Sequence, residues 1–288
     1  MNYFHKTIAL ATLMAATAAQ AQCLTDAEVQ TFIGNYFAKT AAPNPPASSE
    51  GDGACTRAKV NAQLASRMGK VIGYKAGLTN PAVQKRFNYD KPVWGVLYDG
   101  MVLGNGATIE AAFGAKPLFE ADMLVRVKNV DINKATTPME VLESIDQIIP
   151  FIELPDLMVE AIPKLNGPAV SAINVGARLG VAGKPMMVPS QRAERYALLD
   201  ALRDMNVVVK DAGGNRLGGG RGSDILAHPL NAVVWLAQAL AKEGLAMKPG
   251  ELISLGSFSA LLAPKAGLSA TVSYEGLDAV TPVSVNFK

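Results

Sequence analysis

Residues 117–127 read PLFEADMLVRV, and their alternation decides the fold. Apolar and polar side chains take turns along this stretch, the period of a β-strand with two different faces. Side chains two apart on a strand project to the same side. Glu120 and Asp122 therefore stand together, while Phe119, Ala121, Met123 and Val125 pack on the other side. Two carboxylates held that close repel, and burying them is costly unless a cation compensates. A third carboxylate, Glu153, lies in the apolar segment FIELPDL at 151–157. Three hard oxygen donors suit a divalent cation, Mg²⁺ or Mn²⁺. The competing reading is a salt-bridged solvent face on an edge strand, with Arg126 on that same face as the partner.

The segment GYKAGLT at 73–79 adds a lysine, Lys75, between apolar neighbours. Three carboxylates alone over-neutralise a divalent cation and repel an anionic substrate. Lys75 offsets that charge and is placed to bind a substrate carboxylate or to carry a proton. The plainer alternative is a surface lysine with a buried stem.

The chain begins with the marks of an export signal. Met1–Lys6 is basic, residues 8–19 are apolar and small, and Ala19-Gln20-Ala21 fits a cleavage site. Residues 1–21 are expected to be removed, leaving a periplasmic or secreted protein that starts at Gln22. Gln22, in place of a small residue before Cys23, disfavours a lipid-anchored form. No later stretch is apolar for long enough to span a bilayer, so no membrane span is expected after cleavage. Cys23 and Cys55 are the only two cysteines. In an oxidising compartment a disulfide between them is expected, stapling an arm that contains the Pro/Gly/Ser-rich AAPNPPASSEGDGA at 41–54.

The charge balance excludes other classes of function. There are 27 basic and 25 acidic residues, a net charge of +2, with no basic cluster interleaved with aromatics. Nucleic-acid binding is not expected. Of the two histidines, His5 lies in the signal, so His228 alone remains. Histidine-rich zinc sites are excluded, and a Ser-His-Asp triad would have to use that one residue. At the start of a helix, His228 reads as structural.

The expected organisation is a helical arm over 22–69 and a catalytic domain over 70–288. Helices are expected at 24–39, 56–68, 138–145, 192–204 and 229–242. Strands are expected at 70–76, 93–96, 118–127, 148–153, 206–211, 252–255, 270–274 and 283–287. Strands outnumber helices without alternating with them, which argues against a doubly wound α/β sheet. The glycine-rich LGGGRGSD at 217–224 lacks the lysine placement of a phosphate loop and reads as a flexible turn.

Taken in order, GYKAGLTNPAVQ (73–84), DKPVWGVL (90–97), PLFEADM, FIELPD, INVGARLGVAG (173–183) and AHPLNAVVWLAQAL…GLAMKPGELISLGSF (227–258) carry a resemblance. The chain resembles the 2-keto-4-pentenoate hydratase and 4-oxalocrotonate decarboxylase group of the fumarylacetoacetate hydrolase superfamily, over roughly residues 70–287. The resemblance implies an α+β fold, a mixed β-roll core with a helical N-terminal segment. It implies a divalent metal held by residues matching Glu120, Asp122 and Glu153, and catalytic roles for Lys75 and Asp156. It also implies substrate contacts from Asn174 and Ser257, a small 2-oxo acid as substrate, and a homo-oligomer.

Three departures accompany it. Val93 stands where hydratases of the group carry an aspartate and decarboxylases an apolar residue, which shifts weight toward decarboxylation or another substrate. Asp122 stands for a glutamate, and Ile173 for an aspartate. The resemblance implies a metal-dependent lyase acting as a hydratase, with decarboxylase or acylpyruvate C–C hydrolase chemistry next. An exported binder of a small carboxylic acid without turnover is the alternative from another class.

Overall fold

Thr25 and Ser49 each close a capping box, and the two helices they start open the computed structural model, which describes residues 22–288. The expected signal, residues 1–21, lies outside the described residues. Helix α1 covers Asp26–Ala38 and α2 covers Glu50–Met68. Helix α2 begins six residues before the sequence reading placed it. The Ser49 hydroxyl accepts from the Asp52 amide, and the Asp52 carboxylate accepts from the Ser49 amide. This pair satisfies orphan donors of the first turn and carries the helix through Gly51 and Gly53.

The arm is docked along its length. Ala42 exchanges backbone hydrogen bonds with Met158 and Glu160, and Asn44 bonds the backbone of Ala161 in both directions. Tyr36 donates to the Ala177 carbonyl. Cys23 and Cys55 form a bonded pair with Cα atoms 5.6 Å apart.

Beyond the arm the chain is mostly sheet. In order come β1 (Val71–Gly77), α3 (Pro81–Arg86), β2 (Val93–Tyr98), β3 (Val102–Gly104), β4 (Thr108–Ile109) and β5 (Glu120–Val127). Then follow α4 (Pro138–Glu143), β6 (Ile145–Leu154), α5 (Gly167–Ala172), β7 (Leu179–Ala182), β8 (Met186–Met187) and α6 (Arg192–Asp204). The chain ends with β9 (Asn206–Asp211), β10 (Arg216–Arg221), α7 (Asn231–Lys242), β11 (Leu252–Ser254), β12 (Ser269–Glu275) and β13 (Val283–Phe287). An eight-stranded sheet runs β2-β1-β11-β5-β6-β7-β3, with β8 added beside β6. A five-stranded sheet runs β10-β9-β12-β13-β4. Both are mixed: β1–β11, β3–β7 and β13–β4 pair in parallel among antiparallel neighbours. The fold is the α+β, β-roll type.

The glycine-rich 217–224 stretch is largely strand, not a turn: β10 pairs antiparallel with β9. Glycine is needed there because a Cβ on Gly220 would run into the Phe258 carbonyl.

The strand β5 sorts its residues as the alternation requires. Ala121, Met123 and Val125 are fully buried in the main core. On the opposite face Leu124 joins Leu97, Ile149 and Phe151 in a second, smaller apolar cluster. Each such buried side chain contributes about 1.5–3 kcal/mol relative to exposure. This small cluster shares its strand face with Asp122, which stands opposite Phe151, and with the Glu120–Glu153 pair further along the strands. Tyr274 of β12 reaches across from the second sheet, where its hydroxyl donates to the Asp122 carbonyl and accepts from the Phe151 amide at 3.1 Å. The two sheets are thus stitched together at the strand pair that bears the carboxylates.

Candidate active site

Register brings the acidic groups together. Strands β5 and β6 are antiparallel neighbours, and Glu120 lies directly opposite Glu153. Cross-strand partners hold their Cβ atoms about 4.5–5.5 Å apart. Lys75 on β1 pairs with Ser254 on β11, which pairs in turn with Leu124 on β5. Lys75, Asp122 and Glu153 are each at most 2% exposed, and Glu120 is 7% exposed.

The Lys75 ammonium contacts Glu153 Oε1 and donates to the Val175 carbonyl at 3.1 Å. Glu153 Oε2 is buried without a partner. Asp122 is more fully engaged. Its carboxylate accepts from Ser254 Oγ at 2.5 Å, from the Gly256 amide at 3.0 Å and from the Met123 amide at 2.6 Å. Burial pushes the Glu120 carboxyl well above the usual range, and the neighbouring Glu153 pushes it further. The same two causes, in the same order, raise Asp122 to about 8, against the lowering pull of Ser254 and Met123. One ammonium thus faces three buried carboxyl groups.

Lys75 and Glu120 open into a narrow cleft. Lys75, Glu120 and Ser257 are among its polar lining residues, and Val83, Phe87, Val170 and Leu261 among its apolar ones. Ser257 Oγ donates to the Ser259 carbonyl at 2.5 Å.

Two residues expected at the chemistry are engaged elsewhere. Pro155 and Leu157 line the cleft, and Asp156 between them does not. Its carboxylate pairs with Arg178 at 3.2 Å and accepts from the amides of Ala115, Lys116 and Met158. Arg178 also donates to the Phe113 and Tyr36 carbonyls, so the pair fastens α1 and the 113–116 loop behind the site. Asp156, expected to be catalytic, thus has all of its acceptor positions occupied by neighbours. Asn174 likewise spends its side chain on β2, accepting from the Val96 amide at 2.7 Å and donating to the Val96 carbonyl at 3.0 Å. It clamps the strand and does not line the cleft. Val93, opposite Gly77 on β1, faces a separate hollow with Trp94, Arg57 and Trp235. Arg126 pairs with Asp146 at 2.7 Å and not with the carboxylates. His228 bonds the Leu199 carbonyl and the Leu230 amide at the start of α7, a structural placement.

Sequence reading missed Val175. Asn174, Val175 and Gly176 are consecutive residues at positive φ, with Val175 at 55°. A β-branched residue is strained there, and such strain persists only where surroundings enforce it. The turn aims the Val175 carbonyl at Lys75. Gly95 makes room for it, since a Cβ there would stand 2.7 Å from the Asn174 carbonyl oxygen. No local motif signals a carbonyl ligand.

Among the described residues, no three His, Cys, Asp or Glu side chains stand ready as a metal cage. The reason is visible: Lys75 holds one oxygen of Glu153, and Ser254 and Gly256 hold those of Asp122. The donor chemistry nonetheless fits a hard divalent cation through Glu120 and the unpartnered oxygen of Glu153. Asp122 joins them only by releasing its present donors.

Comparison with known proteins agrees with this architecture. No protein-family model matches the chain. The 2-keto-4-pentenoate hydratase of Paraburkholderia xenovorans (strain LB400) is 30% identical over 210 residues, 72% of this chain and 74% of that protein. A 4-oxalocrotonate decarboxylase of Pseudomonas putida is 29% identical over 217 residues, 75% of this chain and 78% of its own. Among solved structures, 4-oxalocrotonate decarboxylase from Pseudomonas putida G7, complexed with magnesium and adipate, superposes with a TM-score of 0.78 at 23% identity. That match covers 93% of this chain and all of the other. The two sheets are those of a fumarylacetoacetate hydrolase-type fold. Within that class, the chain belongs to the 2-keto-4-pentenoate hydratase family.

Proposed function

We propose that the chain is a metal-dependent lyase that adds water to a small unsaturated 2-oxo acid. The observation that carries this reading is the buried Glu120–Glu153–Lys75 group, of which Lys75 and Glu120 line the cleft, with an oxygen of Glu153 left unpartnered. Glu120 and Glu153 would hold the divalent cation, Mg²⁺ or Mn²⁺. When bound, that cation supplies Lewis-acid polarisation of the substrate's 2-oxo group.

The chain's own residues do the rest. The Lys75 ammonium, steadied by the Val175 carbonyl, attracts the substrate carboxylate into the cleft and carries a proton at Nζ. The apolar walls keep bulk water from the reacting carbons, which strengthens every charge interaction at Lys75 and Glu120. Ser257 lines the same cleft while its hydroxyl is held by the Ser259 backbone. Arg178 and Asp156 hold the surrounding segments in place without touching substrate.

Relatives of similar identity act as hydratase and as decarboxylase by name, so decarboxylation is the second reading. Val93, the apolar residue that favours it, sets its Cγ2 against Gly77, beside Val175, and both of those line the cleft. We also propose that residues 1–21 direct export, that the mature protein is periplasmic or secreted, and that Cys23 and Cys55 are joined there. Oligomer formation follows from the family likeness as a further part of the proposal.

The test is turnover of 2-hydroxypenta-2,4-dienoate by the purified protein with Mg²⁺, Mn²⁺ or chelator, followed by ultraviolet absorbance and product mass. Metal-dependent gain of water supports the hydratase reading. Metal-dependent loss of CO₂ from 4-oxalocrotonate, without hydration, replaces it by the decarboxylase. Binding without turnover of either compound leaves a carboxylic-acid binder.

A further inference from the structure

A second hollow, about 440 Å³ in volume, is lined by residues of α2, β2, α5 and α7. It shares no lining residue with the cleft of Lys75 and Glu120. Helical periodicity builds two of its walls. Glu50, Ala54 and Arg57 recur along α2, and Trp235, Ala239 and Lys242 along α7, each set on one helix face. Small residues keep it open: outside its own helix, a Cβ on Gly51 would meet only the Ser49 hydroxyl, at 3.7 Å. Both tryptophans of the chain, Trp94 and Trp235, line it. A volume of this order is that of a small-molecule site.

The buried part of the lining is fixed by its own hydrogen bonds. Arg57, 3% exposed, donates from Nη2 to both Glu243 oxygens at 2.6 Å and from Nη1 to Ser171 Oγ. Its guanidinium lies 3.6 Å from the centre of the Trp94 ring, and Trp94 Nε1 donates to Glu243 Oε1 at 3.1 Å. Among the exposed lining residues, Glu50 pairs with Lys91 at 2.8 Å and accepts from the Tyr89 hydroxyl. Two groups are left over. Lys242 is exposed and enters no ion pair among the described residues. Trp235 is half-buried and enters no aromatic or cation–π pair among them. Arg57, Lys91 and Lys242 face only Glu50 and Glu243, so the surplus charge is positive and resides on Lys242. Lys242 lies two turns beyond Trp235, about 10 Å along the helix axis, and helical side chains lean back toward the preceding turn.

We propose that this hollow is a second binding site, distinct from the acidic cleft, for a small aromatic monocarboxylate whose ring packs on Trp235 and whose carboxylate meets Lys242. A ring seated there exchanges water for the indole and for the apolar surfaces of Pro92, Pro168 and Ala239. The carboxylate meets an exposed ammonium, keeps part of its hydration and cancels the one surplus charge, so no unpaired ion is buried. A cationic ligand would instead be repelled by that surplus, and a second carboxylate would bring one charge more than the hollow balances. The site needs no metal and does not depend on the chemistry assigned to the cleft.

The experiment is titration of the chelator-treated protein with benzoate, read by tryptophan fluorescence, since both tryptophans line the hollow. The expected result is a saturable change, with benzoate binding at least about tenfold tighter than benzamide, which has the same ring without the charge. Lys242→Gln should remove that preference. Ala239→Phe, which fills the hollow, should weaken benzoate by about tenfold or more, and Ala54→Leu is the second filling variant should the first fold poorly. No saturable change, or equal binding of benzamide, overturns the proposal. Benzoate affinity that survives Lys242→Gln and both filling variants but is lost in Lys75→Met places the ligand in the acidic cleft and refutes the second site. If raising the protein concentration alone reproduces the fluorescence change and benzoate adds nothing, a second copy of the chain covers the hollow, and the proposal fails.

Discussion

Two buried ion pairs, three residues apart on one segment, lead opposite lives. Asp156 meets Arg178 and also accepts three backbone amides, while Arg178 spends its remaining donors on carbonyls of α1 and the 113–116 loop. Glu153 meets Lys75, keeps one oxygen without a partner, and faces two further carboxyl groups. The first pair is saturated and the second is not. A buried polar group left unpaired costs free energy that a purely structural arrangement avoids by pairing it. Saturation therefore separates the pair that holds the fold from the pair that awaits a ligand. Position along the chain produces the difference: Glu153 lies within β6 opposite Glu120, while Asp156, beyond the end of that strand, bridges Pro117 and turns its carboxylate to Arg178 and the 115–116 amides.

The largest effect is expected at the saturated pair. Asp156→Ala leaves Arg178 buried and uncompensated, and should lower unfolding stability by about 3–5 kcal/mol in urea denaturation. A loss under about 1 kcal/mol would erase the contrast between the two pairs.

The unsaturated site should respond with the opposite sign. Glu120→Gln removes one of three crowded carboxyl groups, so the metal-free protein should gain about 1 kcal/mol at pH 8, measured the same way. A marked destabilisation would mean that Glu120 is a structural partner.

Lys75→Met should weaken turnover strongly yet tighten Mg²⁺ binding by about tenfold in calorimetry, because the cation no longer competes with an ammonium for Glu153. Unchanged Mg²⁺ affinity would show that the lysine and the metal do not share that oxygen.

The pH dependence sharpens the comparison further. Asp122 and Glu120 are both raised in the folded protein, so the folded state binds more protons than the unfolded chain above the ordinary carboxylate range. Their effect on stability is then negative as pH rises: it sets in near the unfolded value of about 4 and continues through the titration of both groups in the folded protein, that of Asp122 at about 8. Thermal midpoints of the metal-free protein should fall across that window, and saturating Mg²⁺ should flatten the fall. A midpoint rising from pH 5 to pH 8 without metal would contradict it.

Much of this was legible in the sequence, for local reasons. The alternation of 117–127 placed Ala121, Met123 and Val125 in the core and both carboxylates on the other face. The caps at Thr25 and the spacing of 192–204 gave helices close to those observed. What stayed hidden depends on distant partners. Asp156 looks like a catalytic acid until Arg178 and the 115–116 amides are brought to it, and Asn174 looks like a substrate ligand until β2 lies beside it. The glycine run at 218–220 gave no hint of a strand because its pairing with β9 supplies the order that glycine lacks. The Val175 carbonyl, a backbone group set by a positive φ, carries no signature in residue type at all.

The most direct measurement is calorimetric titration of Mg²⁺ into the chelator-treated protein and its Glu153→Gln variant, with circular dichroism confirming that both are folded. The account predicts one cation bound per chain and an affinity lowered by about 100-fold or more in the variant, in line with the loss of a ligand at a metal site. Equal affinity in the two proteins, or no binding to either, would contradict the claim that the unpartnered oxygen of Glu153 marks a metal site.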